Sequence, residues 1–311
     1  MTQAMDLQGH RGARGLLPEN TLPGFAAALG IGVTTLELDL AVTRDGVVVV
    51  SHNPRIEPEL ARDAQGEWLR EDSAPIVTMD LQQVKSYDVG RLNPGRDYAQ
   101  RYPDQQPVDG TSIPTLDEVF ELAARAGNQS VRFNIETKIN PGKPEETPSP
   151  KAFVAAVVSV VERHGLSDRV NLQSFDWRSL AEVKAQAPGI STACLSAGQR
   201  WLDNLQPGQS GASPWLAGLD IDDFDGSVPQ LVKAAGCDIW SPYHREVDTE
   251  SIRTAQALGL KVKVWTVNDI PRMRELIAMG VDGIISDYPD RLRQAADEAG
   301  LALPVPTPVD D

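Results

Sequence analysis

The chain has 311 residues and a formal net charge of −15, with 41% hydrophobic and 23% charged residues. This composition is typical of a globular protein, and the length is ample for one large α/β domain or two small ones. The acidic balance argues against nucleic acid as a partner and against an anionic membrane bound through a basic face. No apolar stretch approaches the ~20 residues that a membrane-spanning helix needs, so no membrane span is predicted.

Two features bear on the compartment of the protein, and neither decides it. The opening residues MTQAMDLQGH lack the basic and then apolar run of a signal peptide. A mature secreted chain that has lost its leader would look the same, so a cytoplasmic and a periplasmic location both stay open. The two cysteines, Cys194 and Cys237, lack metal-ligand spacing and lie in apolar surroundings. They are predicted to be buried free thiols, with a disulfide as the alternative. The oligomeric state stays unknown.

The most informative stretch of the chain is residues 9–54, which holds two of the four histidines, His10 and His52. Between them, Glu37 and Asp39 are separated by one residue in a segment of alternating polarity, so both side chains point to one face of a strand. Two carboxylates on one face suit a hard divalent cation. Histidine is a usual proton carrier near neutral pH. The stretch therefore predicts metal-assisted acid–base chemistry.

Local patterns predict how this stretch brings its polar groups together. Residues 6–10 form a short strand, and residues 18–21 open a helix with capping side chains. The pair Asp45-Gly46 predicts a hairpin turn, after which the chain returns antiparallel and delivers His52 near the carboxylates. Arg11, beside the first histidine, suits a phosphate. The whole stretch indicates a metal-assisted phosphoester site.

The remaining chain predicts the fold. Strand and helix patterns alternate from about residue 113 to residue 299, and counting from the first strand gives about eight βα units. That count favours a (β/α)8 TIM barrel in a single domain spanning residues 1–311. A doubly wound open sheet is the alternative, but no GxGxxG motif follows a strand. Residues 55–113 lack any long period and are predicted to be a small insertion after the second barrel strand.

In a TIM barrel, the chemistry lies at the C-terminal ends of the strands. The polar and aromatic residues at or near such predicted ends are His10, Glu37, Asp39, Glu136, Lys138, Phe175, Tyr243, Trp265 and Asp287. Their convergence predicts a single site.

A series of short motifs runs along the chain. They are HRGARG, PENT, ELD and SHNP within the first 54 residues, FNIETK at 133–138, QSFDW at 173–177, VWTVN at 264–268 and GVDGIISDYP at 280–289. Together they resemble the glycerophosphodiester phosphodiesterase family over nearly the whole chain. The resemblance implies a metal-dependent enzyme that hydrolyses a small glycerophosphodiester to sn-glycerol 3-phosphate and an alcohol.

The resemblance also implies roles for the central residues. Glu37, Asp39 and Glu136 are the expected ligands of one divalent cation, and His10 and His52 the expected acid and base. Oxygen-only ligands favour Mg²⁺ or Ca²⁺, with Mn²⁺ as a further candidate, over zinc. The residues alone favour metal binding no more than a structural ion pair, in which Glu37 or Glu136 pairs with a nearby arginine or lysine.

Five further residues are expected to contact or support the substrate. Arg11 and Lys138 are the expected phosphate anchors. Glu19 either binds substrate hydroxyls or holds Arg11. Trp265 is expected to form an apolar wall beside the glycerol backbone. Asn53 has only a supporting role, because many members of the family carry aspartate there and a neutral amide is a poorer cation ligand.

Two alternative functions remain at this stage. A lipid-directed phospholipase D or C would be expected to carry an exposed apolar loop or a basic rim. The loop at residues 196–226 carries Trp201 and Trp215 but is acidic, which weighs against an anionic bilayer. A non-catalytic glycerophosphodiester-binding protein would be expected to lack a histidine or a metal carboxylate, and none is missing here.

Overall fold

The structure is a computed structural model that describes residues 5–309. The strands are β1 (Asp6–Gly9), β2 (Thr35–Val42), β3 (Val48–Val50), β4 (Arg132–Thr137), β5 (Val170–Ser174), β6 (Ser191–Ser196), β7 (Gly198–Gln199), β8 (Leu202–Asp203), β9 (Ile239–Pro242), β10 (Lys261–Val264) and β11 (Gly283–Ser286). The α-helices are α1 (Leu22–Ile31), α2 (Leu81–Lys85), α3 (Asp97–Gln100), α4 (Leu116–Arg125), α5 (Pro150–Arg163), α6 (Trp177–Gln186), α7 (Val228–Ala234), α8 (Thr249–Ala257), α9 (Ile270–Met279) and α10 (Pro289–Glu298). Between residues 5 and 309, no helix is both long and apolar enough to cross a membrane.

The strands close into a parallel barrel. Within the described residues, β1, β2, β4, β5, β6, β9, β10 and β11 each pair in parallel with their neighbours, and β1 pairs with both β2 and β11. This closure confirms the predicted (β/α)8 fold and is incompatible with an open doubly wound sheet. The register of β2 against β4 places Asp39 opposite Glu136. These two residues are far apart in sequence.

Strand β2 shows how the barrel separates an apolar layer from a polar interior. All eight of its residues are buried, as expected for a strand covered on both faces. Leu36, Leu38 and Leu40 belong to the apolar core shared with the surrounding helices. Since side chains alternate across a strand, Glu37 and Asp39 point to the opposite face, the interior of the barrel.

The turn after β1 has little room. Gly12 has φ +86°, and a Cβ atom there would lie 2.7 Å from the carbonyl carbon of Gly24 in helix α1. Helix α1 itself begins after Thr21, whose hydroxyl accepts a hydrogen bond from the Gly24 N–H. The close approach of loop and helix holds the chain after His10 against the barrel.

The predicted hairpin is present. Strand β3 pairs antiparallel with β2, and Gly46 in the turn has φ +81°. The N–H of Ser51 donates to the carbonyl of Asp39 at 2.9 Å, which fixes the position of the following His52. Residues 55–113 (the insertion segment) then lie between strand β3 and helix α4. They build a small second apolar cluster around Val49, with members that include Ile56, Ile76, Val84 and Ile113.

The expectation of two free thiols is wrong. Cys194 and Cys237 form a disulfide, with their Cα atoms 6.0 Å apart. Cys194 lies in β6, and Cys237 lies just before β9, the strand that pairs with β6. Local sequence patterns do not predict the proximity of the two cysteines, because the connection between β6 and β9 contains the 196–226 loop and helix α7.

Candidate active site

Three carboxylates meet on the neighbouring strands β2 and β4. Oxygen atoms of Glu37, Asp39 and Glu136 lie within 4.8 Å of one another, and all three residues are buried. The structure thus brings together the three residues predicted as metal ligands. We call them the carboxylate cluster.

The carboxylate cluster carries more negative charge than its surroundings balance. Burial, reinforced by the adjacent charge of Asp39, raises the pKa of Glu37 well above its usual range. Burial also raises the pKa of Glu136 to about 7, against the opposing effect of Lys138. Burial acts in the same direction on Asp39, but Lys138 and other basic groups outweigh it and lower its pKa. Three ionised carboxylates at this spacing therefore need a further positive charge.

One atom tests whether the carboxylate cluster fits a cation. Asp39 Oδ1 is buried and has no hydrogen-bond partner among the described residues. The ammonium of Lys138 lies 3.5 Å away and hydrogen-bonds instead to Glu136, at 2.9 Å. A buried polar atom without a partner costs about 1–3 kcal/mol, which ligation to a metal ion would offset. With its all-oxygen donors, the cluster suits a divalent cation such as Mg²⁺ or Ca²⁺.

Arg11 connects the carboxylate cluster to the loop after β1. Its backbone has φ +50°, and its N–H donates to Glu37 Oε2 at 2.8 Å. The guanidinium donates through Nη1 to Glu19 Oε1 at 2.6 Å, and its Nε lies 3.2 Å from Asp39 Oδ2. Glu19 was expected either to bind substrate hydroxyls or to hold Arg11, and the structure shows the contact with Arg11.

His10 is held by a buried carboxylate. Its Nδ1 lies 2.6 Å from Asp287 Oδ1, which also accepts from Arg14 Nε at 2.8 Å. Asn268 donates to the other oxygen of Asp287 at 2.7 Å. Arg14 Nη2 also lies 3.1 Å from His10 Nδ1, but this Arg14 nitrogen also donates to Asp287. The contact of His10 Nδ1 with Asp287 is the shorter one, so we assign a proton to Nδ1, which donates it to the carboxylate. The other nitrogen, Nε2, then faces the carboxylate cluster, 3.8 Å from Glu37 Oε2.

His52 has a different support. Its Nδ1 lies 2.7 Å from the amide oxygen of Asn53, which can only accept, so Nδ1 carries the proton. Burial lowers the pKa of His52 well below its usual range, and the charge of Arg11 adds to that effect. Burial and the charge of Arg14 lower the pKa of His10 to about 4, although Asp287 opposes them. A carboxylate thus supports one histidine and a neutral amide the other.

Several residues that support these groups were not predicted from the sequence. Arg14 lies four residues after His10 within HRGARG, and Asn268 ends the VWTVN motif. Asp287 was noted only as a polar residue at a strand end. Gln173 donates to Glu37 at 2.8 Å, and Asn20 to Asp39 at 2.9 Å. One signal was available for Asp287: closing the barrel puts the end of β11 beside the end of β1 and therefore beside His10.

The insertion segment reaches this site through Tyr98. Arg14 Nη1 donates to the Tyr98 hydroxyl at 3.0 Å, and that hydroxyl donates to Glu19. The rings of Tyr98 and Tyr102 pack edge to face, 5.3 Å apart. These contacts join the insertion segment to the residues that hold Arg11 and His10.

We propose that the insertion segment shapes substrate preference. Replacing residues 60–108 with a short linker is expected to leave the barrel folded, although less stable because part of the second apolar cluster is lost. It should change the ratio of kcat/KM between two diesters, since Tyr98, Arg101 and Tyr102 line the cavity. Circular-dichroism melting and steady-state kinetics measure both effects. Glu67→Ala, at an exposed position of the same segment outside the cavity, is the matched control and should leave the ratio unchanged. An unfolded product of the replacement would show that the segment completes the core.

A cavity of about 840 Å³ opens at this end of the barrel. Among the predicted site residues, those that line it are His10, Arg11, Glu37, His52, Asn53, Glu136, Lys138 and Trp265. Asp39 and Glu19 lie behind them. Trp265 is fixed by a hydrogen bond from its indole N–H to the carbonyl of Ser241 at 2.9 Å. The cavity is large enough for a small organic ligand.

Comparison with known proteins gives consistent results. The sequence model of the glycerophosphoryl diester phosphodiesterase family matches residues 10–291. A glycerophosphodiester phosphodiesterase of Caldanaerobacter subterraneus subsp. tengcongensis is 28% identical over 287 residues, 91% of this chain and 94% of the relative. A solved structure from Silicibacter pomeroyi, whose protein bears the same family name, is 37% identical with a TM-score of 0.85, covering 97% of this chain and 96% of its own. An Oleispira antarctica phosphodiesterase, solved with the product sn-glycerol-3-phosphate, is 24% identical with a TM-score of 0.68, covering 94% of this chain and 97% of its own. The last likeness bears on the fold alone.

Proposed function

The chain belongs to the glycerophosphoryl diester phosphodiesterase family and is an enzyme of that class, and from this premise we propose that it hydrolyses glycerophosphodiesters with one divalent cation and two histidines. The products are sn-glycerol 3-phosphate and an alcohol. One observation carries the proposal: two histidines, each with its Nδ1 engaged, line the same cavity as a buried carboxylate cluster.

Glu37, Asp39 and Glu136 would hold the cation. When bound, a divalent cation supplies a Lewis acid that stabilises negative charge on a phosphoryl oxygen. Mg²⁺ and Ca²⁺ suit the oxygen ligands, and Mn²⁺ is a further candidate. Gln173 and Asn20 hold two of the carboxylates in place by donating to Glu37 and Asp39.

Arg11 and Lys138 supply the positive charge that the protein itself offers to a phosphate. Both line the cavity beside the carboxylate cluster. Glu19 orients the Arg11 guanidinium by accepting from its Nη1, and Glu136 holds the Lys138 ammonium. Because the chain as a whole is acidic, this local pair is expected to determine where an anionic substrate binds.

The histidines carry the protons. With Nδ1 engaged by Asp287 or Asn53, each ring presents Nε2 to the substrate. One histidine, neutral, accepts the proton of the attacking hydroxyl at Nε2, and the other, which enters the step in its charged form, gives its Nε2 proton to the oxygen of the departing alcohol and becomes neutral. Positioned groups of this kind typically contribute 10²–10⁴-fold to the rate.

We further propose that the attacking hydroxyl belongs to the substrate. In a glycerophosphodiester, the glycerol 2-hydroxyl lies next to the phosphodiester and is already held within reach of the phosphorus. Intramolecular attack can reach effective molarities on the order of 10⁵ M or more. The P–O bond to the alcohol would break as the 2-hydroxyl oxygen bonds to phosphorus, giving a cyclic 1,2-phosphate that water then opens.

A 2-deoxy analogue tests this step. It is expected to bind with a similar KM but to react far more slowly than the natural diester, because the internal nucleophile is missing. Steady-state kinetics give the two kcat values, and ³¹P NMR during turnover detects the cyclic phosphate. Equal kcat for the two substrates would mean direct attack by water and would end the hypothesis.

Two alternatives remain open. A lipid-directed phospholipase D or C is favoured by one observation, the 60% exposure of Trp201 at the cavity mouth. A non-catalytic glycerophosphodiester-binding protein is disfavoured because both histidines line the same cavity as Glu37 and Glu136, and Asp39 completes the carboxylate cluster beside them. Turnover of glycerophosphocholine compared with lysophosphatidylcholine separates all three functions, since the binding protein would turn over neither.

A further inference from the structure

Aromatic rings form one wall of the cavity. Tyr243 and Trp265 follow the neighbouring strands β9 and β10 and form a parallel bridge with each other. The ring of Trp201, from the turn between β7 and β8, stands nearly perpendicular to both. Its centroid is 5.5 Å from that of Tyr243, at an interplanar angle of 87°, and 6.1 Å from that of Trp265, at 80°. We call these three rings the aromatic corner.

The aromatic corner is held in place by the residues around it. The short hairpin that carries Trp201 is anchored by Glu246, which accepts from the Gly198 N–H at 2.9 Å and from the Gln199 side chain. Trp265 is fixed through its indole N–H, and Phe175 packs edge to face against it at 5.4 Å. The exposed Trp201 ring is therefore presented by a supported turn rather than buried in the core.

Two other rings that line the cavity provide a contrast. The insertion segment contributes Tyr98 and Tyr102, and each already has an arginine over its face. Arg101 lies 5.8 Å from the centre of Tyr98, and Arg14 lies 4.9 Å from that of Tyr102. Across residues 5–309, no arginine or lysine lies over a ring of the aromatic corner. No side chain of this chain's own basic residues thus competes with an outside cation for the rings of the aromatic corner, within the part of the chain that the structure describes.

The basic side chains near the aromatic corner do not line the cavity, and this includes Arg272, which contacts His244. Arg200 and Arg245, which are close in sequence to the rings of the aromatic corner, are exposed and do not line the cavity. His244 packs against Tyr243 at 5.0 Å. Burial, assisted by Arg272 and Arg245, lowers the pKa of His244 to about 4, so this ring is neutral at pH 7.

We propose that the aromatic corner binds a quaternary ammonium group, and that the departing alcohol of the preferred substrate is therefore choline. Electron-rich ring faces attract such a cation, which needs no hydrogen-bond acceptors. A primary ammonium is hydrated more strongly, and these rings offer its N–H groups no acceptor in exchange for the water that they displace. This inference rests on the proposed function. In that reaction the P–O bond to choline breaks and the choline oxygen takes a proton. Water supplies the hydroxyl group that the phosphate gains and the proton that the choline gains overall.

A charged substrate and its neutral isostere provide the sharpest test. Glycerophosphocholine and the 3,3-dimethylbutyl ester of glycerol phosphate have the same shape but differ in charge. The choline ester is expected to have a kcat/KM about 10-fold higher, the size of a partly desolvated cation–π contact. Trp201→Leu should largely abolish the preference. The matched variant Trp68→Leu, in the insertion segment and outside the cavity, should retain it.

A binding measurement keeps the inference separate from the reaction. Quenching of tryptophan fluorescence is expected to show choline binding about 10-fold tighter than 3,3-dimethylbutan-1-ol, with the difference lost in Trp201→Leu. Equal binding of the two compounds, or an equal kcat/KM for the two esters, would overturn the head-group assignment. Selective choline binding without turnover of either ester would support the assignment and overturn the proposed function. Comparing lysophosphatidylcholine with glycerophosphocholine then identifies whether a lipid or a soluble diester carries the choline.

Discussion

Removing divalent cations is expected to abolish phosphodiester hydrolysis, and adding Mg²⁺, Ca²⁺ or Mn²⁺ back is expected to restore it. The reason is the carboxylate cluster, in which three buried acidic side chains share one small volume and Asp39 Oδ1 lacks a hydrogen-bond partner among the described residues. Activity before and after chelation, with each metal added back, measures the effect. Full turnover by the metal-free protein would rule the proposal out.

A direct measurement of metal binding tests whether the metal requirement comes from the carboxylate cluster. Glu37→Ala, Asp39→Ala and Glu136→Ala are each expected to weaken metal affinity, measured by isothermal titration calorimetry. Glu121→Ala, on the exposed face of α4, is the matched control and should bind metal as the natural protein does. If the three cluster variants kept unchanged affinity, the carboxylates would be partners of Arg11 and Lys138 and nothing more.

Loss of either histidine is expected to lower kcat by roughly 10²–10⁴-fold. His10→Ala and His52→Ala each remove a group that lines the cavity and whose Nε2 is available to the substrate. Folding stability should change little, because neither ring belongs to the apolar core. Steady-state kinetics and thermal melting provide the two readouts. Near-normal kcat in one variant would show that its histidine is structural.

Asp287 is expected to act through His10. Asp287→Asn leaves the shape of the side chain but removes the charge that fixes the Nδ1 proton of His10, so kcat should fall while KM stays nearly constant. Asp290→Asn, three residues further on and exposed, is the matched control. A rise in KM with unchanged kcat would instead indicate that Asp287 shapes the binding site.

Much of this protein could be predicted from local patterns. The alternation in β2 identified the face that carries Glu37 and Asp39, and the Asp45-Gly46 pair identified the hairpin that delivers His52. Counting βα units predicted the barrel, and the rule that catalytic groups lie at strand C-termini predicted their convergence. These inferences succeeded because periodicity and turn chemistry depend on neighbouring residues, which a linear sequence displays directly.

The sequence by itself therefore determined the strands and helices of the barrel and the set of chemical groups at its mouth. The tertiary structure decided which of those groups contact each other, and it placed the β7–β8 hairpin in residues 196–226, which were predicted to be a loop. His10 and Asp287 are separated by 277 residues and meet only because β11 closes the barrel against β1. Cys194 and Cys237 meet because β6 and β9 are neighbours in the sheet. Trp201 joins Trp265 only when the β7–β8 hairpin folds over the mouth. Such contacts depend on barrel closure and on the direction of each side chain within it, and no local periodicity encodes either.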